Sequence, residues 1–147
     1  MRPCVLVVDD EVEFVDLLRF ELQRAGWTVL AADNGLDALL LARSERPDAV
    51  LLDLMFEGMD GFTVCETLRR QDSTARIGAV MLSALSSTPV LSRARLAGAS
   101  DFMTKSFETR ELVRRLAAAV ERSRQPSARD LSVADNSRGG PRRRWES

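Results

Sequence analysis

Five short apolar runs alternate with longer amphipathic segments along the chain. They span residues 5–8, 28–31, 49–52, 79–82 and 100–103, and in at least three of them every residue is apolar. Strands covered on both faces of a parallel sheet have this continuous apolar pattern, whereas strands with one solvated face alternate. The runs therefore predict five buried parallel strands.

The segments between the runs have helical periodicity. In residues 12–25 the apolar side chains recur at spacings of three and four, which places them on one stripe: Val15, Leu18, Leu22 and Ala25. The corresponding apolar positions of the second, third and fifth predicted helices are Leu36, Leu39 and Leu40, then Val64 and Leu68, then Leu112, Val113, Leu116 and Val120. The last of these helices is expected over about residues 108–123.

Short polar residues mark the helix starts. Asn34 and Asp60 precede the second and third helices, where a side-chain oxygen can accept a hydrogen bond from an amide of the first turn. Thr88 followed by Pro89 marks the start of the fourth, because proline is favoured at the first helical position. Gly98 stands where the fourth helix is expected to end.

The five strand–helix repeats predict an α/β fold, a doubly wound (βα)5 sandwich around a five-stranded parallel sheet. Residues 1–124 carry this pattern and are expected to form one domain. From residue 125 the pattern ends, and residues 125–147 contain five arginines and three acids together with prolines and glycines. We expect a disordered basic tail or a linker remnant there, with contact to RNA or an acidic partner as the alternative.

Composition narrows the classes of protein. The 147 residues carry 21 basic and 22 acidic side chains, so nucleic acid is not an expected partner of this chain alone. Histidine is absent, which excludes His-ligated metal sites and Ser-His-Asp chemistry. Cys4 and Cys65 lie in apolar surroundings and are expected to be reduced core residues. Without a signal-peptide pattern or a membrane-length apolar stretch, we expect a cytoplasmic protein with no membrane partner.

Polar residues end or follow the predicted strands at one edge of the sheet. Asp9 and Asp10 follow the first run, Asp53 the third and Ser83 the fourth, and Lys105, the only lysine in the chain, lies shortly after the fifth. Functional groups of open parallel sheets collect at the carboxyl ends of the strands. Three carboxylates meeting there repel one another unless a cation intervenes, and hard oxygen ligands suit Mg²⁺. A compact ammonium suits pairing with an oxyanion.

Each of these residues also has an ordinary structural explanation when it is taken alone. Asp9 and Asp10 can interact with the positive end of the following helix. Asp53 can form a turn, and Ser83 and Lys105 can be solvated loop residues. Their joint placement at strand carboxyl ends favours a single functional site.

The chain resembles the receiver domain of two-component response regulators over about residues 3–124. The resemblance rests on five motifs in order: Val-Leu-Val-Val-Asp-Asp-Glu at 5–11, Leu-Leu-Asp-Leu-Met at 51–55, Gly-Met-Asp-Gly-Phe at 58–62, Met-Leu-Ser-Ala at 81–84 and Gly-Ala-Ser-Asp-Phe-Met-Thr-Lys at 98–105. It implies a flavodoxin-like sheet with the strand order 2-1-3-4-5.

The resemblance also implies a phosphoacceptor and a metal site. Asp53 is the expected phosphoacceptor. Asp10, Asp53 and the backbone carbonyl of Met55 are expected to hold Mg²⁺, with Asp9 acting mainly through metal-bound water.

The function that the resemblance implies is a phosphorylation-dependent signalling switch. Lys105 would pair with a phosphoryl oxygen, Ser83 would be the switch hydroxyl, and Phe102 would change rotamer. The phosphoryl group would come from a phosphohistidine of a sensor histidine kinase or phosphotransfer protein. The domain would catalyse only its own phosphorylation and dephosphorylation, and the face of the fourth helix, fifth strand and fifth helix would contact a downstream protein or a second copy.

Two features depart from the family pattern. Ser106 stands where the family usually has a cis proline after the lysine, and because a cis bond before serine costs about 2.5–4 kcal/mol, we expect a trans bond. Asp101, Glu111 and Arg115 match charged positions in the dimer face of receivers from winged-helix transcription factors. Leu91 replaces an expected basic residue there, so dimerisation stays open.

Two other functions are alternatives to this one. A pseudo-receiver, an interaction module that is never phosphorylated, usually lacks the acceptor, the acids or the lysine, and all are present here. A haloacid-dehalogenase-like phosphatase needs an Asp-x-Asp pair after the first strand, whereas Asp9 and Asp10 are adjacent. Whether the chain is a complete single-domain regulator or part of a longer one stays open.

Overall fold

The computed structural model describes residues 2–54, 60–84 and 87–124. Strands and helices alternate through this part of the chain: β1 Cys4–Val8, α1 Val12–Arg24, β2 Thr28–Ala32, α2 Gly35–Glu45, β3 Ala49–Asp53, α3 Gly61–Arg70, β4 Gly78–Ser83, α4 Thr88–Ala97, β5 Asp101–Thr104 and α5 Thr109–Ser123. All five predicted strands are confirmed, each end within one residue of the expected one.

The strands form one parallel sheet in the order β2-β1-β3-β4-β5, which confirms the order implied by the resemblance. Asp53 at the end of β3 pairs in register with Leu82, and Ser83 at the end of β4 pairs with Thr104. Because neighbouring strands end at nearly the same level, the residues that end or follow them lie along one edge of the sheet.

The helices cover both faces of the sheet. The side chains of α1 and α5 pack on one face, and those of α2, α3 and α4 pack on the other. Every residue of β3 and β4 is buried, which explains why these strands are continuously apolar up to their last residue. Those last residues, Asp53 and Ser83, are the polar exceptions.

Two helical stripes differ from the predicted ones. In α1 the predicted stripe is buried up to Leu22, but Ala25 is exposed because the helix ends at Arg24. In α2 the prediction was wrong for Leu36 and Leu40, which are 63% and 54% exposed, whereas Leu39 packs against the core as predicted; the buried positions are Gly35, Ala38 and Ala42. The residues of α2 that are fully buried have small side chains, and the spacing of the leucines does not predict which face of the helix this is.

Side-chain caps are present at the starts of two helices, α2 and α3. Asn34 and Asp60 each accept a hydrogen bond from the backbone amide three residues later, at 2.9 and 2.8 Å, as predicted. The cap of α4 is Ser87, one residue before the predicted Thr88, which is instead the first helical residue. Gly98 ends α4 with φ +101°, the left-handed conformation that favours glycine.

Cys4 and Cys65 occupy the positions expected of core thiols, half-buried and buried respectively. Burial raises the pKa of the Cys4 thiol, and the nearby carboxylates of Asp48 and Glu45 raise it further. Within the described ranges, no helix has the length and apolarity needed to cross a membrane. Residues 125–147 lie outside those ranges, so the domain boundary and the basic tail stay predictions.

Candidate functional site

Three carboxylates meet at the carboxyl edge of the sheet. One oxygen each from Asp9, Asp10 and Asp53 lies within 4.8 Å of the others. Asp9 follows β1 directly and Asp53 ends β3, which is the neighbour of β1 in the sheet. Asp9 and Asp53 are buried at 3% and 5% exposure, whereas Asp10 is exposed. The site therefore consists of two buried carboxylates, Asp9 and Asp53, and opens to solvent on the side of Asp10.

The Lys105 ammonium lies among these carboxylates. Its Nζ atom is 3.2 Å from Asp9 Oδ2, 3.5 Å from Asp53 Oδ2 and 2.9 Å from Glu11 Oε1. Desolvation lowers the pKa of Lys105, but the hydrogen bond with Glu11 and the charges of Asp53 and Asp9 outweigh it, so the net pKa is raised. Lys105 therefore carries its positive charge at neutral pH and offsets part of the repulsion in the cluster.

Ser83 lies beside the acceptor strand, at the end of β4. It is 3% exposed, and its backbone carbonyl accepts a hydrogen bond of 2.9 Å from the Lys105 amide. This bond ties the start of the loop after β5 to the end of β4. The described residues contain no cis peptide bond, so the bond from Lys105 to Ser106 is trans, as expected.

Phe102 belongs to the buried core between the sheet and helices α2 to α4, with 7% of its surface exposed. In this structure its ring is thus in the protein interior. Its expected change of rotamer stays a prediction.

The three residues proposed for a dimer face bond to one another within one chain. Arg115 contacts Asp101 at 3.2 Å and Glu111 at 2.8 Å, and it also donates to the Phe102 carbonyl at 3.1 Å. Arg114 and Arg115 hold the pKa of the Glu111 carboxyl at about 2, well below its ordinary value. A second copy of the chain would therefore have to compete with these contacts, and their use in a dimer stays a prediction.

Two contributors to the site, Glu11 and Phe14, were not identified from the sequence. The Phe14 ring centroid lies 4.8 Å from the Lys105 ammonium, and the ring packs edge-on against Phe107 at 6.2 Å. In the sequence, Glu11 is marked as a candidate site residue only by its position next to Asp9 and Asp10 in the first motif. Its contact with Lys105 joins positions 94 residues apart and depends on tertiary packing.

Gly61 holds the start of α3 against the end of β3. A Cβ atom at this position would lie 2.5 Å from the Asp53 carbonyl oxygen and 3.0 Å from the Leu54 Cα atom, both backbone atoms. We expect Gly61→Ala to lower the free energy of unfolding by about 1–3 kcal/mol, because the backbone beside Asp53 must move. Urea unfolding checks this, with Thr63→Ala on the exposed face of α3 as the control. Equal stability of the two variants would contradict it.

The residues at the edge of the sheet fit a magnesium ion. All three candidate ligands are carboxylate oxygens, the ligand type that Mg²⁺ prefers. Among the described residues, the buried Asp9 Oδ2 atom accepts no well-aligned hydrogen bond. Each carboxylate could supply one oxygen to the ion, and the three oxygens lie within 4.8 Å of one another. Met55, the fourth expected ligand, lies outside the described residues.

Comparison with known proteins identifies the domain. The family model described as "Response regulator receiver domain" matches residues 5–117. The regulator RpaA of Synechocystis, a DNA-binding dual master transcriptional regulator, is 39% identical over 82% of this chain and 50% of its own length. The DNA-binding response regulator MtrA of Mycolicibacterium paratuberculosis is 40% identical over 92% of this chain and 59% of its own length. The chain thus spans 50–59% of the length of these relatives.

Solved structures give the same result. The receiver domain of the Francisella response regulator 1452 is 28% identical, with a TM-score of 0.77, over 84% of this chain and all of that one. The receiver domain of the sensor histidine kinase PA1611 from Pseudomonas aeruginosa, solved with a magnesium ion in its active site cleft, is 25% identical, with a TM-score of 0.76, over 82% of this chain and 99% of that one. With the observed strand order and the acidic cluster, these matches show that the chain belongs to the response regulator receiver domain family.

Proposed function

We propose that Asp53 is the phosphoacceptor of this receiver domain and that its phosphorylation switches the domain between two signalling states. The observation that carries the proposal is the position of the Asp53 carboxylate. It lies at the end of a central strand, beside two further carboxylates and 3.5 Å from the Lys105 ammonium. A phosphorylation-dependent switch fits the family to which the chain belongs.

The chemistry requires an ionised nucleophile and positive charge around the transferred group. One Asp53 carboxylate oxygen would attack the phosphorus atom of a phosphohistidine, forming a P–O bond while the P–N bond breaks. The leaving imidazole keeps the electron pair and takes up a proton. Lys105 would offset charge on the phosphoryl oxygens, so that catalysis consists mainly of positioning and electrostatics.

The metal site proposed consists of Asp10, Asp53 and the backbone carbonyl of Met55, with Asp9 acting mainly through metal-bound water. When bound, Mg²⁺ would supply positive charge beside the phosphoryl oxygens. The magnesium ion in the cleft of the PA1611 receiver domain supports this assignment. In its absence, Lys105 supplies positive charge within 3.5 Å of Asp9 and Asp53.

The signal is proposed to pass from the acceptor to the face formed by α4, β5 and α5. The phosphoryl group adds charge next to β4, where the Ser83 hydroxyl would turn to bind it. Phe102 on β5 would then fill the space that Ser83 leaves. Arg115 on α5 contacts Asp101 and donates a hydrogen bond to the Phe102 carbonyl. A movement of Phe102 would therefore be transmitted to α5.

The proposed phosphodonor is a sensor histidine kinase or a phosphotransfer protein, since this chain has no histidine of its own. The proposal includes a cytoplasmic location, because a sensor histidine kinase takes its phosphoryl group from cytoplasmic ATP. The proposed output is contact with a downstream protein or a second copy of the chain. Beyond this the domain is proposed to act on no other substrate, phosphorylating and dephosphorylating itself.

Acetyl phosphate labelling tests the proposal. We expect the chain to gain the mass of one phosphoryl group in the presence of Mg²⁺ and to lose it in neutral hydroxylamine, which cleaves acyl phosphates. Labelling should fall to background when EDTA replaces Mg²⁺. An unchanged mass, under conditions that label another receiver domain run in parallel, would favour an interaction module that is not phosphorylated. A hydroxylamine-stable phosphate would place the acceptor on a hydroxyl group.

A further inference from the structure

Within the described part of the chain, Glu11, rather than a member of the acidic cluster, makes the shortest ion-pair contact of Lys105. The Glu11 Oε1 atom is 2.9 Å from the ammonium, compared with 3.2 Å for Asp9 and 3.5 Å for Asp53. The Glu11 backbone is held on both sides, since its amide donates to Asp9 Oδ1 at 2.9 Å and its carbonyl accepts from the Val15 amide at 3.0 Å. Its side chain is 65% exposed and reaches Lys105 from outside the cluster.

The Phe14 ring also faces the ammonium. The 4.8 Å distance from Lys105 Nζ to the ring centroid is within the range of a cation–π attraction. Phe14 is supported in turn by its edge-on contact with Phe107. Glu11, which directly precedes α1, and Phe14 in its first turn therefore hold the ammonium in a defined position beside the acceptor.

We propose that Glu11 is a positioning residue that acts through Lys105 and competes with the phosphoryl group for the ammonium. This inference rests on the proposed function. An ammonium has three donors, and in this structure three carboxylates surround it. A phosphoryl group on Asp53 brings new oxygens that need the same donors, so Lys105 must weaken or leave its contact with Glu11. Because Glu11 is mostly exposed, this contact is weak enough to slow the transfer without preventing it.

The first test uses the fact that Lys105 is the only lysine in the chain. Incorporation of ¹⁵N-lysine therefore yields a single side-chain ammonium signal. We expect Glu11→Gln, which keeps the shape but removes the charge, to shift this signal and speed its hydrogen exchange with water. Glu13→Gln removes the same charge from an exposed position on α1 and should leave the signal where it is. If the position and the hydrogen exchange rate of the signal are the same in Glu11→Gln and in the wild-type chain, the proposal is wrong.

The second test is the initial rate of labelling by acetyl phosphate with Mg²⁺. We expect Glu11→Gln to be labelled about two- to fivefold faster than Glu13→Gln, the factor that corresponds to a mostly exposed ion pair. The comparison cancels the effect of net charge on an anionic donor, because the two variants carry the same charge. Equal rates would refute competition for Lys105. If the wild-type chain takes up no phosphoryl group, the proposed function fails, and the NMR comparison still decides whether Glu11 anchors Lys105.

Discussion

Asp53→Asn should reduce labelling by acetyl phosphate to background. The amide of asparagine is not ionised and is a poor nucleophile, so no P–O bond forms at this position. The substitution preserves shape and removes one of three mutually repelling carboxylates, and we therefore expect the fold to be retained. Intact-mass measurement in the presence of Mg²⁺ checks the loss of labelling, and urea unfolding checks the fold.

The control for this experiment is Asp16→Asn. Asp16 is exposed on α1, so the substitution makes the same change in net charge away from the proposed acceptor. It should be labelled within about twofold of the wild-type chain, since exposed charges have small effects. Full labelling of Asp53→Asn would show that another residue accepts the phosphoryl group.

Arg69→Met should lower the free energy of unfolding by about 3 kcal/mol, because hydrogen bonds from a charged group contribute about 1.5–3 kcal/mol each but are not additive. The Arg69 guanidinium joins three parts of the fold from the last turn of α3. It donates to the carbonyls of Gly98 at 2.9 Å, Ala75 at 2.9 Å and Ile77 at 2.6 Å. Methionine keeps the packing of the aliphatic part and leaves these three carbonyls without the guanidinium.

The neighbouring residue provides the matched control. Arg70 is on the same helix turn, its side chain is 76% exposed, and its contact with Glu66 is 3.7 Å long. We expect Arg70→Met to change stability by less than about 0.5 kcal/mol, as exposed ion pairs do. Chemical unfolding of both variants tests the difference. Equal stabilities would mean that water replaces the Arg69 hydrogen bonds at no cost.

The two predictions concern opposite edges of the sheet. The carboxyl edge holds Asp9, Asp10 and Asp53 close together, and Lys105 offsets only part of their mutual repulsion. Arg69 lies near the amino edge, where its acceptors at Ala75 and Ile77 precede β4. Substitutions at Arg69 should therefore change stability with little effect on labelling. Asp53→Asn, in contrast, should abolish labelling with little effect on stability.

Most of the fold could be predicted because its signals are local. A strand covered on both faces must be apolar at every position, and a short side-chain oxygen before a helix satisfies a free amide within three residues. The meeting of Asp9, Asp53 and Lys105 at one edge followed from parallel strands that end together. No knowledge of side-chain contacts was needed for that step.

The stripe on α2 could not be chosen from the same kind of signal. Leu36 and Leu40 recur at helical spacing, and so do the small residues Ala38 and Ala42, which are the ones that face the sheet. Hydrophobicity favours the leucines, but close approach of the helix to the sheet favours small side chains. In the structure, Gly35, Ala38 and Ala42 are buried, and of the three predicted leucines only Leu39 packs against the core.

By itself, the sequence determined the order of elements, the caps of α2 and α3, and the presence of acidic and basic groups at one edge of a parallel sheet. Only the tertiary structure revealed that Lys105 contacts Glu11 most closely and that Arg69 bonds to Gly98, pairs that are 94 and 29 residues apart. Periodicity and capping act over a few residues, whereas these contacts depend on how helices and strands pack in three dimensions and on where long side chains then reach.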